Sequence, residues 1–448
     1  MTIFALSSGK GRAGVAVIRL SGPQTATAVR TLTRKHDLPV PREACLRWFY
    51  DPQTGHRLDQ GLVLYFPAPH SFTGEAVAEF HIHGGRAVIA GFLEALGKIP
   101  GVRPAEPGEF TRRAFDHGKM DLTAIEGLAD LINAETEAQR RQALRQMDGR
   151  LAALYEGWRR DITAAMAYLE ADIDFADEEI PEDVTAQVRP RIEQLRARIA
   201  AHLDDNHKGE RIRDGLQVVI LGAPNVGKST LLNFLSRRDV AIVSDIAGTT
   251  RDILEVHLDI AGYPVTVVDT AGIRESADVI EAEGIRRAER RAREADLKVI
   301  MLEAADWPDI SPRSRALIDE NSMILLNKVD LAPIGERSGL VPPGGALGVW
   351  QVSAKQETGL EGFLKALAQE VERRMDLSDT PSLTRTRHRL ALKECLDHLD
   401  RYLNSAHQEL ELLAEDLRLA ARSLGKITGR VDVEDILDVV FSEFCIGK

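Results

Sequence analysis

The chain has 448 residues, enough for two or three domains that each bury a core, and 44% of it is apolar. Its formal net charge of −12, from 57 Lys and Arg against 69 Asp and Glu, excludes a general polyanion binder but leaves room for RNA at a local basic patch. No stretch approaches the ~20 apolar residues of a membrane span, and Met1 to Leu6 lacks the charged leader and apolar region of a signal peptide. Cys45, Cys395 and Cys445 are far apart with no C-x-x-C, which points to a reducing cytoplasmic compartment rather than a disulfide scaffold or zinc module.

Residues 1–117 read as mixed α/β with short strands. Gly9-Lys-Gly-Arg-Ala-Gly14 matches G-x-G-x-x-G, yet it leads into the strand-like run Val15–Leu20 rather than a helix, and no acid follows about 20 residues on. The dinucleotide reading therefore fails its own context. In Phe72-Thr-Gly-Glu75 to Glu79-Phe-His81-Ile-His83-Gly-Gly85 the two histidines alternate onto one strand face. With no obvious third ligand, structural or substrate-contacting roles fit them better than a metal. A polar, glycine-punctuated stretch follows from Glu106 to Lys119.

From Leu122 the pattern turns helical, with Leu122, Ile125, Leu128, Ala129 and Ile132 at helical spacing. Ala/Leu/Arg/Glu-rich segments continue to about Asp205, with Pro181 and Pro190 marking breaks. Arg140, Arg141, Arg145 and Arg150 form either an RNA stripe or, as the simpler reading, a solvated helix face. Helical spacing returns after the central region: Leu392, Leu396, Leu399 and Leu403, then Leu410, Leu413 and Leu417. One helical domain split by an insertion accounts for both segments, since insertion is tolerated where a domain's ends lie close together. Two independent helical segments are the alternative. For the final Phe444-Cys-Ile-Gly-Lys448, taken by itself, a frayed terminus is the default reading.

The insertion carries the chemistry. Leu216–Leu221 is an apolar strand, and Gly222-Ala-Pro-Asn225-Val226-Gly227-Lys228-Ser229-Thr230 after it matches G-x-x-x-x-G-K-[ST] before a helix. Glycines let backbone N–H groups close on a phosphate at a helix N-terminus, Lys228 can reach the β/γ oxygens, and Ser229 can ligate Mg²⁺. Ser244, Asp245, Ile246, Ala247, Gly248, Thr249 and Thr250 supply a second hydroxyl ligand in Thr250. Asp269, Thr270, Ala271 and Gly272 end a strand, where the acid holds magnesium through water and the glycine N–H meets the γ-phosphate. Asn327, Lys328 and Asp330 form N-K-x-D, whose carboxylate accepts two guanine N–H donors that adenine lacks; Ser353, Ala354 and Lys355 complete the base pocket. This segment is read as a GTPase domain. Ile273 stands where Ras-like enzymes carry a water-orienting glutamine, leaving Glu275, Asp278, Glu281 and Glu283 as candidates. Asn225 points to a site for a cation bridging the phosphates.

These motifs, with Pro107-Gly-Glu-Phe-Thr111, Gly118-Lys119 and the Cys-Ile-Gly-Lys tail, resemble the MnmE (TrmE) family of tRNA-modifying GTPases over essentially the whole chain. The resemblance implies a fold of three parts: a mixed α/β folate-binding and dimerising domain (1–117), a discontinuous helical domain (118–212 and 376–448) and an inserted P-loop Ras-like GTPase domain (213–375). It implies a cytoplasmic homodimer joined through the N-terminal domains. With an MnmG-type FAD protein, such a dimer converts carbon 5 of the wobble uridine of certain tRNAs to an aminomethyl or carboxymethylaminomethyl group, using 5-formyltetrahydrofolate or a related reduced folate. Carried over by motif, Arg19, Glu79, Lys119 and Lys448 match folate contacts, and Asn225, Ser244, Ile246 and Thr249 match potassium ligands. Ser229 and Thr250 match magnesium ligands, Glu281 the glutamate that positions water, and Cys445 a tail cysteine of open role. Glu283 competes with Glu281, because nothing between Arg274 and Gly284 is a fixed motif. Ala223, Val226 and His81 depart from the family pattern. The competing function is a GTPase switch in ribosome assembly, with no folate chemistry.

Overall fold

The computed structural model describes the chain apart from residues 10, 175–187, 239–240, 242–254, 270–289, 333–340, 377–380, 406–409, 432–433, 443, 445 and 448. It divides into two compact units, one of Met1–Ala129, Gln146–Leu195 and Glu394–Lys448, the other of Asp130–Arg145 and Arg196–Lys393.

The first unit begins with β1 (Thr2–Leu6), β2 (Ala13–Ser21), α1 (Thr25–Thr33), β3 (Cys45–Tyr50), β4 (Arg57–Phe66), β5 (Val77–Gly84), α2 (Arg86–Gly97), β6 (Val102–Pro104) and α3 (Glu109–Asp116). The strands form one sheet in the order β3-β4-β5-β2-β1-β6, antiparallel except for β1 with β6. Strict alternation sets its two faces. Ala16, Ile18 and Leu20 of β2 join Ala78, Phe80 and Ile82 of β5 in a core with Leu32, Phe92 and Leu96 of the helices. Phe49, Phe80 and Phe92 meet there with ring centroids 5.2–5.7 Å apart, each contributing about 2–3 kcal/mol by burial. The intervening residues, Arg19, Glu79 and His81, are thereby turned to the opposite face. The glycine-rich segment 9–14 enters a strand, as its sequence context requires.

The helical elements are α4 (Leu122–Asn133), α5 (Glu137–Met147), α6 (Arg150–Asp174), α7 (Val188–Leu203) and α8 (Lys208–Asp214). Pro190 lies in the first turn of α7, where its missing N–H leaves no bond unmade. Pro181 lies outside the described residues.

The second unit holds β7 (Leu216–Gly222), α9 (Lys228–Ser236), β8 (Glu255–Ile260), β9 (Tyr263–Asp269), β10 (Leu297–Glu303), β11 (Ser322–Asn327), β12 (Gly348–Gln351) and α10 (Leu360–Met375). Its sheet runs β12-β11-β10-β7-β9-β8, parallel except for the β8–β9 pair. Residues 218–221 of β7 are a continuous apolar run because both faces are covered there. Val218 and Ile220 enter one core with Phe363 and Leu367 of α10, while Val219 and Leu221 enter another with Ile300 and Ile324.

The chain ends in α11 (Thr386–Asn404), α12 (Leu410–Thr428) and α13 (Glu434–Ser442). Within the first unit α12 packs along α6: Arg418 pairs with Glu170 at 3.1 Å, and Thr428 donates to Glu156 at 2.9 Å. Leu122, Ile125 and Ala129 of α4 pack with Leu437, Val440 and Phe441 of α13. Helices from before and after the inserted sheet thus pack together within the first unit. Within the second unit, Arg389 from the outgoing segment bonds the Leu203 carbonyl, Asp205 and Glu210 of the incoming one. Asp130 accepts from both Arg213 and Arg385. An insertion needs its two ends held together, and these side chains hold them.

Candidate functional site

The phosphate loop is built where β7 leaves the sheet. Asn225 has φ +60° and Gly227 φ +110°, a turn that aims successive N–H groups inward before α9 begins. A Cβ at Gly227 would come within 2.2 Å of Asn327 Nδ2, so no other residue fits under the loop. The Lys228 ammonium is buried and donates to the carbonyls of Gly222 (2.9 Å) and Ala223 (2.8 Å), folding it back over the loop. Ser229 is exposed in the first turn of α9, where a hydroxyl can meet a metal bound to phosphate. Val226 is buried, and Thr230 is exposed on the helix.

The base-reading segments converge on the same edge. Asn327, 3% exposed at the end of β11, donates through Nδ2 to the Val226 carbonyl at 2.7 Å and accepts at Oδ1 from Ala354 N–H at 2.9 Å. One side chain therefore ties the phosphate loop, N-K-x-D and Ser353-Ala-Lys355 together. Sequence reasoning assigned Asn327 to the base pocket and missed this brace; full burial of a polar strand end is its signal. Lys328 pairs with Glu303 at 2.5 Å. Ser353 is buried and bridges to Thr358, whereas Asp330 and Lys355 are exposed and free to face a base. Asp269 closes β9 opposite Ile220, two residues before Gly222, though its side chain lies outside the described residues. So do Ser244, Asp245, Ile246, Ala247, Gly248, Thr249, Thr250, Thr270, Ala271, Gly272, Glu281 and Glu283.

A second constellation lies on the open face of the N-terminal sheet. Arg19 and Glu79 are partners across β2 and β5, joined at 2.9–3.0 Å, with the guanidinium 5.4 Å from the Phe72 ring centre. His81 Nε2, 3.7 Å from Glu79 Oε2, is buried without a hydrogen-bond partner. His83 instead bonds Asp59 at 2.8 Å, and among the described residues no group of three His, Cys, Asp or Glu is arranged to hold a metal. Lys119 is exposed just beyond α3. The motifs flanking this face are structural: Ser21 bonds Thr73 (2.8 Å) and Glu75 (2.9 Å), and Arg113 joins Glu75 (2.7 Å) to Glu109 (3.0 Å). Burial alone would raise the Glu109 pKa, but bonds from Arg103, the Glu106 N–H and Arg113 outweigh it and hold it below the ordinary value. The tail reaches this domain, with Ile446 bridged to Pro107 and Gly447 against Leu6 and Ser7. Cys445 and Lys448 lie outside the described residues. Of the basic stripe, Arg140 pairs with Glu137 one turn away at 2.7 Å, as on a solvated face.

Comparison with known proteins identifies the family. The family model for the TrmE N-terminus, described as that of a GTP-binding protein, matches residues 2–119, and that for the MnmE helical domain matches residues 122–445. The chain is 55% identical to the tRNA modification GTPase MnmE of Parvibaculum lavamentivorans, with all of both chains covered. It is 54% identical to that of Paramagnetospirillum magneticum, covering all of this chain and 99% of the other. It is 48% identical to the human mitochondrial 5-taurinomethyluridine tRNA synthase subunit GTPB3, covering all of this chain and 93% of the relative. Two domain matches and full-length identity at this level put the chain in the MnmE (TrmE) family of tRNA modification GTPases.

Proposed function

We propose that this protein is a potassium-activated GTPase that works with an MnmG-type FAD protein on the wobble uridine of certain tRNAs. Carbon 5 of that base receives an aminomethyl or carboxymethylaminomethyl group whose one-carbon unit comes from 5-formyltetrahydrofolate or a related reduced folate. It acts in the cytoplasm as a homodimer joined through residues 1–117, with residues 213–375 as the GTPase domain and 118–212 and 376–448 as the two parts of the helical domain. The observation carrying the folate part is the Arg19–Glu79 pair beside the orphaned His81 nitrogen, on a sheet whose β1 end the tail meets at Ser7. A carboxylate acceptor with a neighbouring unsatisfied imidazole nitrogen suits the donors and acceptors of a reduced pterin. The cations Arg19, Lys119 and Lys448 suit its glutamate tail. A ribosome-assembly switch has no need of this constellation.

In the GTPase domain, Lys228 and the N–H groups of the phosphate loop bind the β- and γ-phosphates, and Asp330 selects guanine. Ser229 and Thr250 would hold magnesium, which when bound neutralises charge on the phosphates. Asn225, Ser244, Ile246 and Thr249 would hold potassium in place of an arginine finger, and Glu281 orients the attacking water. Calorimetric titration of 5-formyltetrahydrofolate into wild type and Glu79→Gln tests the folate site. Saturable binding lost in the variant is expected; no binding to the wild type overturns the reading.

A further inference from the structure

We propose that Ser7 is a positioning residue that latches the C-terminal strap onto the end of β1. This rests on the proposed folate site, to which Lys448 of the tail contributes, but the latch itself is argued from geometry. Ser7 Oγ donates to the Gly447 carbonyl at 2.9 Å across 440 residues of sequence. The Ser7 N–H is committed to the Val17 carbonyl at 2.8 Å, which fixes the hydroxyl in register with β2, the strand that carries Arg19 two residues further on. Gly447 has φ +107°, and a Cβ there would lie 2.2 Å from the Leu6 carbonyl oxygen. Glycine alone allows the strap to approach so closely.

The strap is held at one other point. Ile446 forms an antiparallel bridge with Pro107, yet its side chain is 55% exposed and adds little burial. Gly108, with φ +68°, lets the loop before α3 close onto Phe441, where a Cβ would lie 2.6 Å from the Phe441 carbonyl oxygen. Phe444, 5% exposed, is the last well-buried anchor before the strap. Beyond it, Ser7 supplies a side-chain bond to Gly447, in a segment where backbone entropy favours release. Ser7 touches no reacting group; it sets where Ile446 and Gly447 lie against the end of β1.

The test is hydrogen–deuterium exchange of the C-terminal peptide 440–448 in full-length protein, read beside folate titration and GTP turnover. Ser7→Ala should speed exchange of this peptide by roughly 3- to 10-fold, the loss of one intramolecular hydrogen bond. Gly447→Ala should speed it more, through strain against Leu6. Ser7→Thr keeps the hydroxyl and should restore near wild-type exchange. Folate affinity should fall in Ser7→Ala in step with exchange, while GTP turnover stays unchanged. Unchanged exchange in Ser7→Ala overturns the latch, and faster exchange with undiminished folate affinity overturns the positioning role. If wild-type protein binds no folate, the reading of the site falls, and the exchange difference still decides the latch.

Discussion

Replacing Asn327 with alanine should damage the GTPase domain in a way that no base-reading role explains. The side chain is 3% exposed and makes two hydrogen bonds, to the Val226 carbonyl at 2.7 Å and from the Ala354 N–H at 2.9 Å. Alanine strands both backbone groups, at about 1–3 kcal/mol each when water cannot reach them. Allowing partial rehydration, the loss is ~2–4 kcal/mol, which for a domain of about 150–250 residues lowers its melting temperature by roughly 5–15 °C. The phosphate loop loses its brace as well, so affinity for guanine and xanthine nucleotides should fall together. Asp330→Asn supplies the contrast. That side chain is exposed, so melting should stay put while preference moves from GTP towards XTP by several kcal/mol, the cost of reversing a paired polar contact. Differential scanning calorimetry and titration with fluorescent GDP and XDP measure both. An Asn327→Ala protein that melts within about 2 °C of wild type, or that loses only guanine affinity, would refute the brace.

Three further outcomes are expected. GTP turnover in potassium should exceed that in sodium at equal ionic strength by a large factor, since finger charges contribute about 10³–10⁵ in related enzymes; equal rates refute the cation mechanism, and unchanged activation in Asn225→Ala removes that ligand alone. Glu281→Ala should cut turnover by roughly 10²–10⁴ with little change in GTP affinity; if Glu283→Ala does so instead, the family correspondence is displaced by two residues. Burial, opposed by Asp205 and reinforced by Arg389 and His388, pushes the His202 pKa down to about 4. The unfolded chain therefore takes up a proton near pH 6.5 that the folded chain refuses until about pH 4, and up to roughly 3 kcal/mol present above pH 6.5 is lost across that window. His202→Gln should flatten the fall in melting temperature between pH 7 and 4.5; an identical profile in the variant refutes the assignment.

What could be read from the sequence followed from local geometry. The phosphate loop, the strand ending in Asp269 and N-K-x-D each put chemistry at a strand end within a few residues, so spacing alone places them. Period-two alternation placed His81 and His83 on one face of β5, but it could not say that His83 bonds Asp59 while His81 stays unsatisfied beside Glu79. The sequence marks Pro190 as a break, and in the structure it sits in the first turn of a helix, where proline costs least. The network of Ser21, Glu75, Glu109 and Arg113 is invisible in the sequence, because only Glu109 and Arg113 share a helical turn and the other two come from separate segments. The same holds for the clamp of Arg389 on Asp205 and Glu210, which needs the two ends of the insertion already side by side.

The two constellations share one physical solution. A glycine permits a left-handed turn or a close backbone approach, but it has the most conformational freedom to lose on ordering. Three such turns here are met by a donor from elsewhere in the fold: Asn327 on the carbonyl of Val226 beside Gly227, Lys228 on Gly222, and Ser7 on Gly447. The donor satisfies a carbonyl that the turn leaves without a secondary-structure partner, and it offsets part of the entropy that the glycine costs. A motif scan registers the glycine, whose identity is fixed by backbone geometry at that position. It passes over the donor, whose identity depends only on what lies opposite once the chain has folded. That asymmetry explains why the glycine-rich loop and the tail stand out in the sequence, whereas the brace at Asn327 and the latch at Ser7 emerge only from the fold.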